Sequence, residues 1–499
     1  MYECPNCGGN LKFSIEDQLM KCDYCQTTCD PYSLHKENDA EETFAFEATI
    51  FTCPQCGGEI LSTDNSAAEF CSFCGASTIL SSRLSNEKRP VRIIPFQITE
   101  DACKKAYLSR MRRALFAPKE LKQEKALNQF RGIYIPYYTY HVIQKGSAQL
   151  KGTKQYRKGD YDYTDHYRLT GDIDASYSNL SFDASSTLDD TISRQIAPYQ
   201  PSDEKQFTPA FLSGFYADIS DIGEDVYIED AKQIANSASM KKIREMKPFK
   251  GLHPDPGITP SSQSTSLCTK TKRPEALMYP VWFMSYRHKD RVAYATINGQ
   301  TGKISADIPI DPVKYLISTL LLAVLLFFLL NPVLTLTPTG LLILSALLSV
   351  VTFILFWLET RKIYRRDTRL DDKGYQDLTR RQTKEKTKKK APKKATFTYY
   401  NHSLPVTKEI PLSMTFGEFW TYSKTPVFGR QLPGFLGSVF ALVIAIIILM
   451  VHPVSDIWYY GGCFLTFLCT LFTMAAILLK YNTLATRPLP QFIRKGDGK

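Results

Sequence analysis

The sequence predicts a multidomain membrane protein: two small β units knotted by cysteines, an α+β soluble region, and four transmembrane α-helices. Three observations carry that expectation. Eight of the thirteen cysteines stand in four Cys-x-x-Cys pairs at the front of the chain. Four long apolar runs, free of Asp, Glu, Lys, Arg and His, lie after residue 310. Between them, short strand-like and helix-like patterns alternate. At 499 residues the chain has room for two or three domains. The boundaries read as 1–30 and 50–82 for the cysteine units, 90–310 for the α+β region, 313–358 for a first membrane hairpin, 359–433 for a basic loop, 434–480 for a second hairpin, and 481–499 for a tail.

The cysteine units are an internal repeat. Cys4-Pro5-Asn6-Cys7-Gly8-Gly9 is followed by Cys22-Asp23-Tyr24-Cys25, and Cys53-Pro54-Gln55-Cys56-Gly57-Gly58 by Cys71-Ser72-Phe73-Cys74-Gly75. The gap between pairs is the same in both, and an aromatic residue precedes each last cysteine. Zn²⁺ takes four thiolates in a tetrahedron at about 2.3 Å, and a Cys-x-x-Cys turn delivers two of them. Glycine after the second cysteine permits positive φ and lets backbone N–H groups approach the sulfurs. A unit of this size has almost no core, so the metal supplies most of its folding energy. Cys4, Cys7, Cys22 and Cys25 are therefore read as ligands of one structural Zn(2+), and Cys53, Cys56, Cys71 and Cys74 of a second. Redox motifs do not come as four matched pairs. Cys29 is a leftover thiol, read as a bystander. The start of the chain shows neither a charged n-region nor an apolar stretch, so no secretory signal is expected and metal binding in a reducing compartment is the better reading.

These residues resemble the TFIIB-type zinc ribbon over about the first 85 positions. Ribbons of that family bind nucleic acid in some relatives and protein in others, so the fold leaves the function open.

The four apolar runs cover about 315–330, 340–358, 435–451 and 457–479, each close to the ~20 residues that cross a ~30 Å hydrocarbon core. Residues 361–394 hold 15 Lys or Arg against 5 Asp or Glu, most of the chain's net charge of +11. The positive-inside rule then puts this loop and both termini in the cytoplasm, as a multi-pass protein of the plasma membrane. Ion-coupled transporters place ionisable groups within their spans, and these runs have none, which favours anchoring or oligomerisation over transport. Gly461, Gly462, Cys463 and Cys469 in the fourth run could pack helices together or be ordinary span composition.

In the middle region, Val91–Phe96 reads as a strand. Asp101–Phe116 reads as a helix with Ala102, Ala106, Leu108, Met111 and Leu115 inward. Ile133–Val142, Tyr167–Ile173 and Phe211–Tyr216 read as strands, and Glu229–Met246 as a helix. A Ser/Pro-rich loop spans His253–Ser266, and a hairpin turns at Asn298-Gly299. His141, His166, His253 and His288 are scattered. Asp160, Asp162, Asp165 and Asp172 with His166 could cluster, but a polar hairpin surface is the better reading. The tyrosines fit a sheet core or interface better than base stacking. Walker and dinucleotide loops are absent, and no catalytic constellation is found, so a non-enzymatic role is expected.

The order of pieces (double ribbon, Ile133-Tyr134-Ile135-Pro136-Tyr137-Tyr138, Leu212-Ser213-Gly214-Phe215-Tyr216, Tyr279-Pro280-Val281-Trp282 to Gly299-Gln300-Thr301-Gly302, then spans) is similar to bacterial membrane-anchored zinc-ribbon proteins over roughly residues 1–360. Those proteins are often named after the primosomal helicase for their ribbons alone, and no helicase motor motif is present here. The resemblance implies a membrane scaffold that docks a cytoplasmic protein, with flotillin-like or phage-shock-type partners in envelope stress. The basic loop and second helical pair depart from that pattern. The Lys-rich run 384–394 could meet anionic lipid at ~1 kcal/mol per basic side chain, neutralise nucleic-acid phosphates, or serve only as a topology determinant and linker. The alternative function is a membrane-tethered nucleic-acid-binding or transcription-like regulator.

Overall fold

A computed structural model describes residues 2–34, 45–62, 71–76, 81–246, 253–254, 268–288, 291–330, 337–390, 426–490 and 492. Most of the Ser/Pro-rich loop, much of the expected 331–339 connection, and residues 391–425 of the basic loop lie outside the described residues.

The first cysteine unit is a three-stranded antiparallel sheet of β1 (Leu11–Ser14), β2 (Leu19–Cys22) and β3 (Thr28–Cys29). Alternation turns Leu11, Phe13 and Met20 inward. They have no core of their own to enter and pack instead on the α+β region. Phe13 meets Phe211 edge-on at 5.2 Å, its N–H donates to the Ser213 carbonyl at 3.1 Å, and Ser213 Oγ donates to the Leu11 carbonyl at 2.6 Å.

The second unit is built on β4 (Ala45–Thr52), β5 (Glu59–Ser62) and β6 (Ser81–Lys88). Its strands reach past the expected 50–82 limits and continue into the large sheet. The reason is surface: so small a unit cannot cover its own apolar face.

The α+β region then runs through β7 (Arg92–Ile93), α1 (Glu100–Arg113), α2 (Glu124–Leu127), β8 (Arg131–Lys158), β9 (Tyr161–Asp183), α3 (Asp190–Ile196), β10 (Lys205–Gln206), β11 (Tyr216–Ala217), α4 (Ile228–Glu245), β12 (His253–Pro254), β13 (Cys268–Thr271), β14 (Glu275–His288), β15 (Arg291–Asn298) and β16 (Ile304–Ala306). The central path is β10-β7-β14-β8-β11-β5-β4-β6, with β9, β12 and β13 on β8, and β15 on β14. The expected helices are present. Thr99 caps α1 by accepting from Ala102 N at 3.3 Å. Its buried stripe is Cys103, Tyr107 and Met111, one residue round from the expected Ala102/Ala106 line, and Leu115 lies beyond the helix and exposed. Phe211–Tyr216 is not a continuous strand. Pro209–Leu212 forms a 3₁₀ turn that buries Phe211 and Leu212, and pairing begins only at Tyr216.

Five long helices follow, α5 (Pro312–Leu330), α6 (Pro338–Asp367), α7 (Lys373–Lys390), α8 (Pro426–Val451) and α9 (Asp456–Leu484), with β17 (Arg487–Pro488) after them; α7 alone among these helices is polar. Among the described residues three stretches have the length and apolarity to cross a membrane: Pro312–Leu330, Pro338–Asp367 and Gly434–Val451. α6, α8 and α9 pack on one another. Small and hydroxyl groups allow the close approach: Ser438 Oγ lies 3.5 Å from Thr352 Oγ1 and 3.3 Å from Thr473 Oγ1, and a Cβ on Gly437 would sit 2.8 Å from the Cys469 carbonyl. Of the small pair in α9, Gly462 faces Ile448, whereas Gly461 has open space. No residue of α5 is buried.

The described parts of the basic loop and the tail pack against the rest of the chain. α7 lies on the α+β region, with Gly374 N–H donating to Tyr227 Oη at 3.2 Å and Lys373 paired with Asp230. β17 pairs antiparallel with β15, and Phe492 N–H donates to the Cys56 carbonyl at 2.6 Å.

Candidate metal centres

Each Cys-x-x-Cys turn folds the same way because its backbone closes on itself. The first cysteine's carbonyl accepts from the residue four on: Gly8 (2.8 Å), Gln26 (3.1 Å), Gly57 (2.8 Å) and Gly75 (2.9 Å). The first cysteine's N–H donates to the residue five on: Gly9 (2.7 Å), Thr27 (3.0 Å), Gly58 (2.9 Å) and Ala76 (2.9 Å). This closure needs positive φ at the residue after the second cysteine, and φ is +70° at Gly8, +75° at Gly57, +68° at Gly75 and +58° at Gln26. Gln26 departs from the glycine pattern and carries a Cβ where the left-handed region disfavours one. Gln26→Gly is therefore expected to raise stability by about 0.5–1 kcal/mol, readable as a higher melting temperature. A lower one would show that its Nε2 bond to the Asp23 carbonyl (3.3 Å) matters more.

The second glycine of each Gly-Gly has another job. A Cβ on Gly9 would lie 2.6 Å from the Tyr24 ring and 3.3 Å from Cys7 Sγ; on Gly58, 2.7 Å from the Phe73 ring and 3.3 Å from Cys56 Sγ. The aromatic before each last cysteine thus lies across the opposite turn, which explains its repetition.

These turns bring all eight predicted ligands together as two groups, in each of which the Sγ atoms lie within 4.8 Å of one another. Cys4–Cys25 and Cys7–Cys22 are 3.5 Å apart, Cys53–Cys74 3.8 Å and Cys56–Cys71 3.7 Å. A tetrahedron with metal–sulfur bonds of about 2.3 Å has edges of about 3.8 Å, so both groups fit one four-coordinate ion without an open position. Gly58 N–H approaches Cys56 Sγ at 3.4 Å, the kind of donor that offsets thiolate charge. Cys29 stays outside the first group, and burial, then Cys4 and Asp30, push its thiol up.

The groups differ in setting. In the first, Cys7 is exposed and Tyr24 is 80% exposed. In the second, all four cysteines are buried. Phe73 packs against Phe283 and Phe492, with ring centroids 6.1 and 5.6 Å away. Tyr294 Oη donates to the Phe73 carbonyl at 2.9 Å, and Arg287 Nη1 to Gln55 Oε1 at 3.0 Å.

The histidines and the Asp160 group are not brought together. Asp160, Asp162, Asp165, His166 and Asp172 belong to the β8–β9 hairpin, where His166 is opposite Thr153 and Asp162 opposite Arg157. His141 Nε2 lies 2.9 Å from Ser176 Oγ. Among the described residues, the two tetracysteine groups are those that could hold a metal.

Sequence reasoning missed a charged joint between the sheet and the base of the helices. Arg291 of β15 donates to both oxygens of Asp367 at the end of α6 (3.3 and 3.0 Å), to Thr486 Oγ1 (2.8 Å) and to the Thr483 and Thr486 carbonyls (2.9 and 2.8 Å). Arg487 bridges Asp189 (2.7 Å) and Asp307 (3.4 Å). Burial works against the charged form of Asp189, but Arg487 and Arg369 outweigh it and hold that carboxyl at about 2. No periodicity marks such residues, because partners up to 298 positions apart meet only in the fold. A buried acid was missed for the same reason. Burial lifts Asp218 to about 7 against the hydroxyl bonds of Ser185 and Thr187.

The fold and sites define a chain with two tetracysteine groups spaced to hold metal ions, a mixed sheet with helices, and membrane-length apolar helices. It is similar to the uncharacterized protein YdjG of Bacillus subtilis (strain 168), with 28% identity over 314 residues, covering 62% of this chain and 90% of that protein. No protein-family model matches the chain, and no solved structure matches it.

Proposed function

We propose that the chain is a membrane-anchored zinc-ribbon scaffold that docks a cytoplasmic protein at the inner face of a bacterial membrane. The observation carrying this reading is the contrast between the two metal groups. The second is sealed inside the sheet and serves the fold. The first presents Cys7 and Tyr24 to solvent on a small rigid knuckle, the form of surface a partner protein can grip. Zn²⁺ suits both groups because four thiolates at tetrahedral spacing match its ligand preference; bound there, it would lock the turns and perform no reaction.

Four spans with both termini in the cytoplasm complete the proposal. The contacts of β17 with β15 and of Phe492 with the second cysteine unit support placing both ends of the chain on one side, which an even number of crossings satisfies. On that reading α9 is the fourth span. The basic residues beyond α6 set the orientation. Labelling of a Cys-free-loop reporter at residue 34 from outside intact cells would overturn it.

The nucleic-acid reading is weaker. The protruding hairpin, residues 145–174, has 6 Lys or Arg against 5 Asp, too balanced for a phosphate-tracking surface. Affinity purification in mild detergent, comparing wild type with Tyr24→Ala, tests the scaffold. A co-purifying cytoplasmic protein lost with Tyr24→Ala supports it. Unchanged partners, or nucleic acid lost on nuclease treatment, would replace it. Flotillin-like or phage-shock-type proteins are the partners first sought.

A further inference from the structure

A cavity of about 260 Å³ opens at the charged end of α6, bordered by α3, β16, the turn after α6, and β17. Lys362, Arg365, Arg366, Arg369 and Arg487 line it together with Asp189, Asp307, Asp371 and Asp372. The five cations exceed the four carboxylates by one charge. The hydrogen bonding is more telling than the count.

Two kinds of arginine meet here. Arg291, which is not part of the cavity lining, gives five hydrogen bonds through Nε, Nη1 and Nη2. It is a structural clamp. The arginines on the cavity wall are not saturated. Arg366 gives Nη2–H to Asp307 at 2.7 Å, Arg365 pairs with Asp371, and Arg369 pairs with Asp372. The Nε–H groups of Arg366 and Arg369 are buried without a partner. A guanidinium has five N–H donors, so these three retain far more donors than the surrounding carboxylates use. Lys362 makes no ion pair among the described residues.

Position selects the anion. The apolar part of α6 ends at Leu358. At about 1.5 Å per residue, Lys362 stands about 6 Å and Arg365 about 10 Å further along the axis. The polar layer on each side of a bilayer is about 5–8 Å deep, so the cavity mouth meets the phosphate level and its floor lies just outside. Arginine forks match phosphate oxygens in geometry.

We propose that this cavity binds a phosphate-bearing anion presented by an anionic phospholipid of the inner leaflet. Lys362 and Arg365 meet it at the rim, and Arg366 and Arg369 supply donors deeper in. The site is separate from the Lys-rich run 384–394, since it has walls and a fixed donor set. It rests on the membrane reading given above.

The test uses full-length protein purified in neutral detergent. Thermal unfolding is followed while short-chain phosphatidylglycerol, phosphatidylcholine or inorganic phosphate is titrated. Saturable stabilisation by phosphatidylglycerol alone is expected. Lys362→Gln should weaken it about fivefold, and Lys362→Gln with Arg365→Gln about thirtyfold. Neither residue belongs to the Arg291 clamp, so melting without lipid and metal content should stay near wild type. Replacing lysines 384, 386, 388, 389 and 390 by glutamine should leave the affinity unchanged. Loss of affinity in that loop variant, with none in the rim variants, would overturn the proposal. Equal stabilisation by inorganic phosphate would overturn its lipid source. A protein that leaves the membrane in alkaline carbonate without detergent would instead refute the membrane reading, which separates the two failures.

Discussion

Cys71→Ser is expected to unfold most of the α+β region, while Cys7→Ser, the same chemical change, leaves it folded. Both variants should drop from two metal ions per chain to one. The difference lies in where the lost site sits. Cys71 is fully buried in a cluster with Phe73, Tyr279 and Phe283, and β5 of that unit pairs with β11 of the main sheet. Loss of a structural zinc site is worth about 10–16 kcal/mol in isolated peptides, against about 5–15 kcal/mol of total stability for a domain. Even a fraction of that figure melts the sheet around it. Cys7 is exposed at the rim of a unit that touches the sheet through Leu11, Phe13 and Met20, so its loss should loosen residues 2–34 alone. Metal analysis with amide exchange checks this. Native protection of β14 and β15 in Cys71→Ser would show that packing, and not metal, holds the second unit.

Arg291→Ala should cost about 3–5 kcal/mol, the range for breaking a buried pair and leaving its partner charged. The side chains of Arg291 and Asp367 are 13% and 14% exposed. The change also strips donors from the Thr483 and Thr486 carbonyls at the end of α9. These bonds join β15, the base of α6 and the base of α9, so the soluble sheet and the helices should melt in separate steps once Arg291 is gone. Calorimetry in detergent reads this directly. Replacing Arg291 by Met and Asp367 by Leu together should recover part of the loss. A single unshifted transition in Arg291→Ala would mean that the joint carries little of the coupling.

The two tetracysteine groups were legible because a four-thiolate zinc site imposes local spacing: two cysteines per turn, three positions apart, followed by glycine in three of the four turns. The apolar runs were legible because a bilayer requires an uninterrupted length. Both constraints act within a few tens of residues. Met111 of α1 faces inward as expected, but the Ala102/Ala106 part of that face was misplaced by one position because alanines are too small to mark a face. Cys103 and Tyr107, which fill the core, do not read as strongly apolar.

What escaped the sequence was every feature made by distant partners. The positive φ of Gly8 follows from its place after Cys7, but nothing local shows that Gly9 makes room for the ring of Tyr24. The last residues read only as a tail, yet Phe492 N–H donates to the Cys56 carbonyl and its ring packs on Phe73. Nothing in the sequence marks Arg291, Arg366 or Arg487 as parts of one charged joint. By itself the sequence determined two four-thiolate groups and long apolar helices, since metal geometry and bilayer thickness act on short, contiguous patterns. Only the tertiary structure decided which metal group is buried, how the tail joins the sheet, and where guanidinium donors gather beside the membrane helices. Those outcomes depend on long-range packing and charge pairing, which leave no period in the chain.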